Sequence, residues 1–205
     1  MSTRPGTTTV VMVIDVQKAV MESAWDSDGV VARIRALIRR ARSKQVPIVF
    51  VQHHDLDGDG LARGTDGWKF VEAVAPRDDD MLVEKNYPDS FADTELAGIL
   101  AELGAGHLVI AGAQTDACIR ATAHRALAEG YDVTLVEDCH TTEDATFDVW
   151  WCPQSRSSST PTCACGRSPI RARCRRWRRM TRCGSSSPSA SESSGAHSRL
   201  DCLVS

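Results

Sequence analysis

The chain has 205 residues, of which 42% are hydrophobic and 25% are charged, and its formal net charge is −3. This length is sufficient for one α/β domain with a sizeable core. The sequence has no run of 18 apolar residues, so no membrane-spanning helix is expected. Residues 1–9 lack the apolar segment of a secretory signal, and we therefore expect a cytoplasmic protein.

The charge is divided unevenly along the chain. Residues 1–148 contain 14 Lys and Arg against 25 Asp and Glu, a net charge of −11. Residues 149–205 contain 10 Arg and 2 acidic residues, a net charge of +8, and they also hold six of the eight cysteines. The sequence therefore predicts two unlike parts, a folded domain over residues 1–148 and a Ser/Arg/Cys-rich tail over residues 149–205.

Five apolar, β-branched runs predict strands, and stretches with apolar residues at helical spacing alternate with them. The runs cover residues 8–14, 48–51, 81–83, 108–111 and 133–136, and the helical stretches cover residues 30–41, 96–103 and 117–129. Gly104 and Gly106 are typical of the end of the second helix, and Thr141 with Asp144 is typical of a further helix start. Continuous apolar runs predict parallel strands that are buried on both faces. The pattern therefore predicts a three-layer α/β/α fold with a mostly parallel, Rossmann-like sheet.

This α/β pattern stops one strand and one helix short of a balanced sheet. After Asp148 the sequence has serine runs, an arginine cluster over residues 171–182 and few aliphatic residues, so it cannot bury enough apolar surface to offset the entropy of ordering. We interpret this aberrant tail as disordered or as the product of a reading-frame shift. Residues 149–153, Val-Trp-Trp-Cys-Pro, become Arg-Val-Val-Val-Pro when suitable codons are read one base back, which is a buried-strand sequence where a sixth strand is due.

Three chemically active side chains follow three of the predicted strands. Asp15 follows the first strand, Lys85 the third, and Cys118 the fourth, after a turn that contains Gly112. Ligands of parallel α/β sheets bind beyond the carboxyl ends of the strands, so we expect these side chains to converge there. Cys118 begins a helix, and the positive end of the helix dipole predicts a thiol pKa lowered from about 8.5 into a range of roughly 3.5–7.5.

These three residues predict a hydrolase. Cys118 would be the nucleophile, Asp15 would take the thiol proton and return it to a leaving amine, and Lys85 would stabilise developing negative charge. Backbone N–H groups of Gln114 and Cys118 would form an oxyanion hole. Each residue has a simpler alternative interpretation, as a small buried hydrophobe, a turn cap and a surface charge, respectively. Their placement at three strand ends favours the catalytic interpretation.

Residues 13–17, 83–85 with 90–94, and 112–123 resemble the corresponding blocks of isochorismatase-like cysteine hydrolases. The resemblance covers about residues 8–148. It implies a six-stranded parallel sheet between helices, a catalytic triad of Asp15, Lys85 and Cys118, and a cis peptide bond between Ala113 and Gln114. It also implies cleavage of a C–N bond in a small amide, ureide or carbamoyl compound through a thioester, in a protein that is commonly oligomeric.

A metal-assisted nicotinamidase is an alternative within the same family. Nicotinamidases resemble this chain but carry an Asp-Trp-His-Pro block after the second strand, where this chain has Gln52-His53-His54-Asp55. Adjacent side chains on a strand point to opposite faces, so His53 and His54 are poorly placed to share a metal ion. We therefore expect neither a metal nor another cofactor. Isochorismatases proper lack the cysteine, and the presence of Cys118 argues against their vinyl-ether reaction.

Gln17, Trp68 and Phe91 are candidates for the lining of a substrate pocket. An alternative interpretation places Trp68 and Phe91 in the core or in an oligomer interface. His140 is interpreted as a satisfied polar group rather than a catalyst. We expect a small-molecule substrate, a homo-oligomer, and no membrane or nucleic-acid partner. A second alternative from another class is a non-catalytic α/β scaffold whose basic tail binds nucleic acid.

Overall fold

A single parallel sheet forms the centre of the part of the chain that the computed structural model describes, residues 6–55 and 60–144. Five strands occur in these residues, in the order β3-β2-β1-β4-β5. They are β1 (Thr8–Ile14), β2 (Ile48–His53), β3 (Met81–Lys85), β4 (Ala105–Ala113) and β5 (Asp132–Thr141). Every neighbouring pair is parallel, so the carboxyl ends of all five strands meet at one edge of the sheet.

Helices cover both faces of the sheet. The α-helices are α1 (Lys18–Glu22), α2 (Ser27–Ser43), α3 (Leu96–Glu102) and α4 (Arg120–Ala128), with a 3₁₀ helix at Glu72–Val74 and a π-helical turn at Thr115–Ile119. Helices α3 and α4 pack on the face formed by Val10, Met12 and Ile14. The alternate side chains of β1 point to the other face, where α2 packs with its apolar side. The predicted three-layer α/β/α fold is confirmed.

None of the helices within residues 6–55 and 60–144 combines the length and the apolar character needed to cross a bilayer.

The five predicted strands are confirmed, although four of them extend beyond their apolar runs. β4 begins at Ala105, so Gly106 lies in the strand, and only Gly104, with φ of +62°, ends α3. β5 continues to Thr141, so the prediction that Thr141 starts a helix is wrong. The reason is that Thr141 pairs with β4, and its hydroxyl donates a hydrogen bond of 2.6 Å to the carbonyl of Trp25. The predicted sixth strand and the tail over residues 149–205 lie outside the described residues.

Two unusual backbone positions shape the carboxyl edge of the sheet. Gly112 in β4 lies opposite Ile14 in β1, and a Cβ atom at Gly112 would stand 1.9 Å from the Ile14 carbonyl oxygen. Gly112 also has φ of +127°, so only glycine fits this close approach. Asp15 follows β1 with φ of +52°, in the left-handed region that Asp tolerates better than most residues. Its N–H donates to the carbonyl of Val51 at 2.9 Å, which anchors the turn.

Replacing Gly112 by Ala is expected to lower the free energy of unfolding by about 2–4 kcal/mol, because the new methyl group meets backbone that cannot move aside. Gly98→Ala in α3 is the matched control, since a Cβ atom there meets nothing within 4 Å. It should stabilise the protein by about 0.5–1 kcal/mol through helix propensity. Urea unfolding followed by circular dichroism measures both changes, and equal effects of the two variants would contradict the proposed close approach.

Candidate active site

The side chains of Asp15, Lys85 and Cys118 come together at the carboxyl edge of the sheet. The Lys85 Nζ atom lies 2.6 Å from Asp15 Oδ2 and 3.2 Å from Cys118 Sγ. The side chains of Lys85 and Asp15 are 0% and 2% exposed. The predicted convergence of these three groups is confirmed, whereas their catalytic roles stay predictions. A carboxylate, an ammonium and a thiol in contact can together transfer a proton and attack an electrophile.

His53 is a fourth member of this cluster, and sequence reasoning gave it no such place. Its Nδ1 atom lies 3.2 Å from Lys85 Nζ, and its Nε2 atom lies 3.0 Å from Asp55 Oδ1. The Lys85 ammonium thus has three close partners, the Asp15 carboxyl group, the Cys118 thiol and the His53 ring. Since Nδ1 accepts from Lys85, the ring proton of a neutral His53 belongs on Nε2, where it is donated to Asp55.

The strand order explains why His53 belongs to the cluster. β2 lies between β1 and β3, and its last residue, His53, is paired with Lys85 in the register of the two strands. A side chain at the end of β2 therefore stands beside the ammonium at the end of β3. The sequence does show a histidine, His53, at the end of a predicted strand. That position indicates a contact with Lys85 only when the order of the strands in the sheet is known.

Burial controls the protonation of the cluster. Burial raises the pKa of Asp15 above its ordinary value, against the opposing effects of the Lys85 charge and hydrogen bond. Burial, reinforced by the negative charge of Asp15, raises the pKa of the Cys118 thiol to about 12. The prediction of a lowered thiol pKa is therefore wrong for the free site, because loss of solvent outweighs the helix start. The thiol of the free site is therefore protonated at neutral pH, and the Asp15 carboxyl group is more basic than usual.

The turn that carries Cys118 has a distinctive backbone. The peptide bond between Ala113 and Gln114 is cis, as the family resemblance implied. The carbonyl of Gln114 then accepts from the N–H groups of both Ala117 and Ile119, each at 3.1 Å, which makes the turn π-helical. The oxyanion hole formed by the N–H groups of Gln114 and Cys118 stays a prediction.

A cavity of about 350 Å³ opens beside Cys118. This volume suits a small molecule, since ligand pockets typically enclose about 300–1,000 Å³. Its wall includes the nucleophile candidate, His53, three further polar side chains, and apolar side chains from α1 and from the loop after β2. The described lining consists of Ala19, Val20, Ser23, His53, Leu61, Gln114, Cys118 and Glu143.

Comparison with known proteins places these features in a family. A family model described as the isochorismatase domain matches residues 9–150. The chain belongs to the isochorismatase family. Streptothricin hydrolase from Streptomyces noursei is 36% identical over 137 residues, which cover 65% of this chain and 54% of that protein. The chain thus spans about half the length of that curated relative.

Two further proteins that are similar to this chain are informative by name. Maleamate amidohydrolase from Pseudomonas putida KT2440 is 39% identical over 70 residues, which cover 34% of this chain and 33% of that protein. The crystal structure of a cysteine hydrolase from Pseudomonas syringae pv. phaseolicola 1448A has a TM-score of 0.62 and 26% identity, covering 67% of this chain and 74% of that chain.

The predicted pocket residues Gln17, Trp68 and Phe91 are absent from the described lining of the cavity. Gln17 is fully buried, and its side-chain amide donates to the carbonyls of His53 and Trp68 at 2.8 and 2.7 Å while its oxygen accepts from the His53 N–H at 2.8 Å. Gln17 therefore holds the end of β2 and the Trp68 backbone in place. Phe91 packs against the core, with its ring centre 6.0 Å from that of Tyr131.

The histidines of this isochorismatase-family chain have distinct environments. His53 and Asp55 are hydrogen-bonded to each other, and residues 6–55 and 60–144 contain no group of three or more His, Cys, Asp or Glu arranged to hold a metal ion. His54 is buried, and its N–H donates to the carbonyl of Lys85 at 2.9 Å. His140 Nδ1 lies 2.8 Å from Thr115 Oγ1, which supports its interpretation as a satisfied polar group.

The raised pKa of Cys118 predicts slow alkylation by iodoacetamide at neutral pH, because the thiolate is the reactive form. At pH 8 the native chain should label at Cys118 at least about tenfold more slowly than the urea-unfolded chain. The native rate should keep rising with pH beyond pH 9, where the unfolded rate levels off. Peptide mass spectrometry separates Cys118 from the other cysteines. Rapid native labelling below pH 7 would instead indicate a thiol activated before substrate binds.

Proposed function

We propose that this chain is a cysteine-dependent hydrolase that cleaves a C–N bond of a small amide, ureide or carbamoyl compound. The observation that carries the proposal is the contact of the buried Lys85 ammonium with both Asp15 and Cys118, together with the position of Cys118 in the wall of a cavity of about 350 Å³. Two reported relatives, an amidohydrolase and a cysteine hydrolase by name, support the reaction class.

In the first step, Asp15 accepts the proton of the Cys118 thiol as Sγ attacks the carbonyl carbon. The raised pKa of Asp15 favours this transfer because it makes the carboxylate a stronger base. The carbonyl double bond becomes a single bond to a negatively charged oxygen. The backbone N–H groups of Gln114 and Cys118 donate to that oxyanion, and they are held by the π-helical turn before they act.

In the second step, the tetrahedral intermediate collapses and the C–N bond breaks. The leaving nitrogen takes the proton from Asp15 and departs as ammonia or an amine, which leaves a thioester on Cys118. Water then attacks the thioester while Asp15 accepts its proton. Cleavage of the C–S bond releases the acid, and the sulfur recovers a proton from Asp15, so that the site returns to its starting state.

Lys85 serves both steps by remaining positively charged. Its Nζ atom forms an ion pair with Asp15 and lies in contact with Sγ, so it stabilises the negative charge whether the proton is on Asp15 or on the sulfur. His53, held by Asp55, takes the third donor of the ammonium and keeps it from rotating away. The expected homo-oligomer and the absence of nucleic-acid and membrane partners stay predictions.

Cys118→Ala, Asp15→Asn and Lys85→Met are each expected to lower kcat by at least about 10³-fold, because each removes a group that takes part in bond making or proton transfer. The assay measures ammonia release from a panel of small amides, and mass spectrometry of the quenched reaction looks for an acyl group on Cys118. Cys139→Ala is the matched control, since Cys139 is a buried thiol outside the cluster.

The same assay separates the proposal from a metal-assisted nicotinamidase. We expect full activity after dialysis against EDTA, with no recovery needed from added zinc or other divalent ions. Loss of activity in EDTA, or retention of most activity in Cys118→Ala, would overturn the thiol mechanism.

His53→Ala is expected to lower kcat by about 10- to 100-fold with little change in KM, because a freed ammonium leaves its productive position. His53→Asn should recover much of this loss, since its side-chain oxygen stands close to the position of Nδ1 and accepts from Lys85. His53→Gln, whose oxygen reaches further, should recover less. His124→Ala, on the exposed side of α4, is the control and should match the parent enzyme. Equal losses in the Asn and Ala variants would contradict the positioning role.

A further inference from the structure

A carboxylate without an ion-pair partner among the described residues lies in the wall of the same cavity as Cys118. Glu143 lines the cavity, and its Oε2 atom accepts a hydrogen bond of 2.9 Å from the Ser23 hydroxyl. An isolated backbone bridge between Ala24 and Glu143 holds the two segments together. The carboxylate is therefore placed by both its side chain and its main chain. Because Ser23 engages Oε2, the Oε1 atom is left to accept from another donor.

No cation of the described chain neutralises Glu143. Within residues 6–55 and 60–144 no Lys or Arg forms an ion pair with it, and none contributes to the described cavity lining. Cations of the neighbouring loop have other partners, since Lys18 lies 2.8 Å from Asp66 and Arg63 lies 2.5 Å from Glu84. A negative charge thus faces the cavity without compensation.

The ammonium beside the nucleophile offers no site for an anionic substrate. The Lys85 side chain is 0% exposed, and its ammonium is already in contact with Asp15, Cys118 and His53. A substrate carboxylate would therefore find no free cation in the described wall and would be repelled by Glu143.

We propose that the cavity selects small amides that carry a protonated amine, with the carbonyl at Cys118 and the ammonium at Glu143. This inference rests on the proposed hydrolase function and adds the class of substrate to it. Ala19, Val20 and Leu61 supply the apolar wall that the hydrocarbon part of such a molecule contacts. Glu143 is the specificity-determining residue, and Ser23 holds its carboxylate in position.

Three amides of matched length test the charge preference on the full-length chain. They are γ-aminobutyramide, which is cationic, valeramide, which is neutral, and glutaramate, which is anionic. We expect kcat/KM for ammonia release to fall in that order, by about fivefold at each step, as a partly solvated charge pair allows. Added salt should reduce the differences, because it screens the charges.

Variants at Glu143 assign the preference to one residue. Glu143→Gln should bring the cationic and neutral amides to similar kcat/KM values, since only the charge is removed. Glu143→Lys should reverse the order, and Ser23→Ala should give an intermediate loss. Glu22→Gln is the matched control, because Glu22 is an exposed acid of α1 outside the described lining. An unchanged preference in Glu143→Gln, or a preference for glutaramate in the parent, overturns the inference.

A binding measurement keeps the inference separate from the reaction. Calorimetric titration of the three amides into Cys118→Ala measures affinity without turnover. Tighter binding of γ-aminobutyramide to Cys118→Ala, and its loss in the Cys118→Ala, Glu143→Gln double variant, would support the inference. If the parent enzyme releases no ammonia while this binding preference is seen, only the proposed hydrolase activity is overturned. Turnover with equal affinities and equal kcat/KM values for all three amides overturns the inference and leaves the hydrolase function standing.

Discussion

The buried ammonium of Lys85 is the interaction on which the rest of the site depends. Removing an ion from water costs several kcal/mol, which only close and well-directed partners offset. Its three acceptors come from the turn after β1, the end of β2 and the turn after β4. The charge is therefore compensated only when four strands stand in their native order. The strand order of the sheet is thus what brings the site together.

Burial of this cluster also explains why a thiol with a raised pKa suits the proposed chemistry. Asp15 and Cys118 both hold protons more tightly than in water, because burial disfavours the negative form of each. Moving a proton from Sγ to Asp15 exchanges one buried anion for another and leaves the total charge unchanged. The Lys85 ammonium touches both positions. Losing the thiol proton to solvent is unfavourable, because it adds a buried negative charge. Transferring the proton to the Asp15 carboxylate adds no charge to the site.

The parts of this structure that could be predicted from the sequence are those set by local pattern. Apolar runs located the five strands, and residues at their ends identified Asp15, Lys85 and Cys118. Helix α1 was missed because five residues with one buried side chain, Met21, show no helical period. His53 was missed because strand order is not encoded in any single segment. The thiol pKa was predicted in the wrong direction because a helix start is visible in sequence and burial is not.

The backbone at the carboxyl edge of the sheet shows how the fold positions Asp15, the proposed general base. A non-glycine residue at positive φ costs roughly 1–3 kcal/mol, and it persists only where the surroundings leave no alternative. The backbone N–H of Asp15 donates a hydrogen bond to the Val51 carbonyl, and the Asp15 carboxylate forms an ion pair with the Lys85 ammonium. Gly112 allows β4 to approach Ile14 closely enough to bring the Cys118 turn to the same point. An extended Asp15 would carry its carboxylate away from Lys85, so the left-handed turn places the charge where the ammonium requires it.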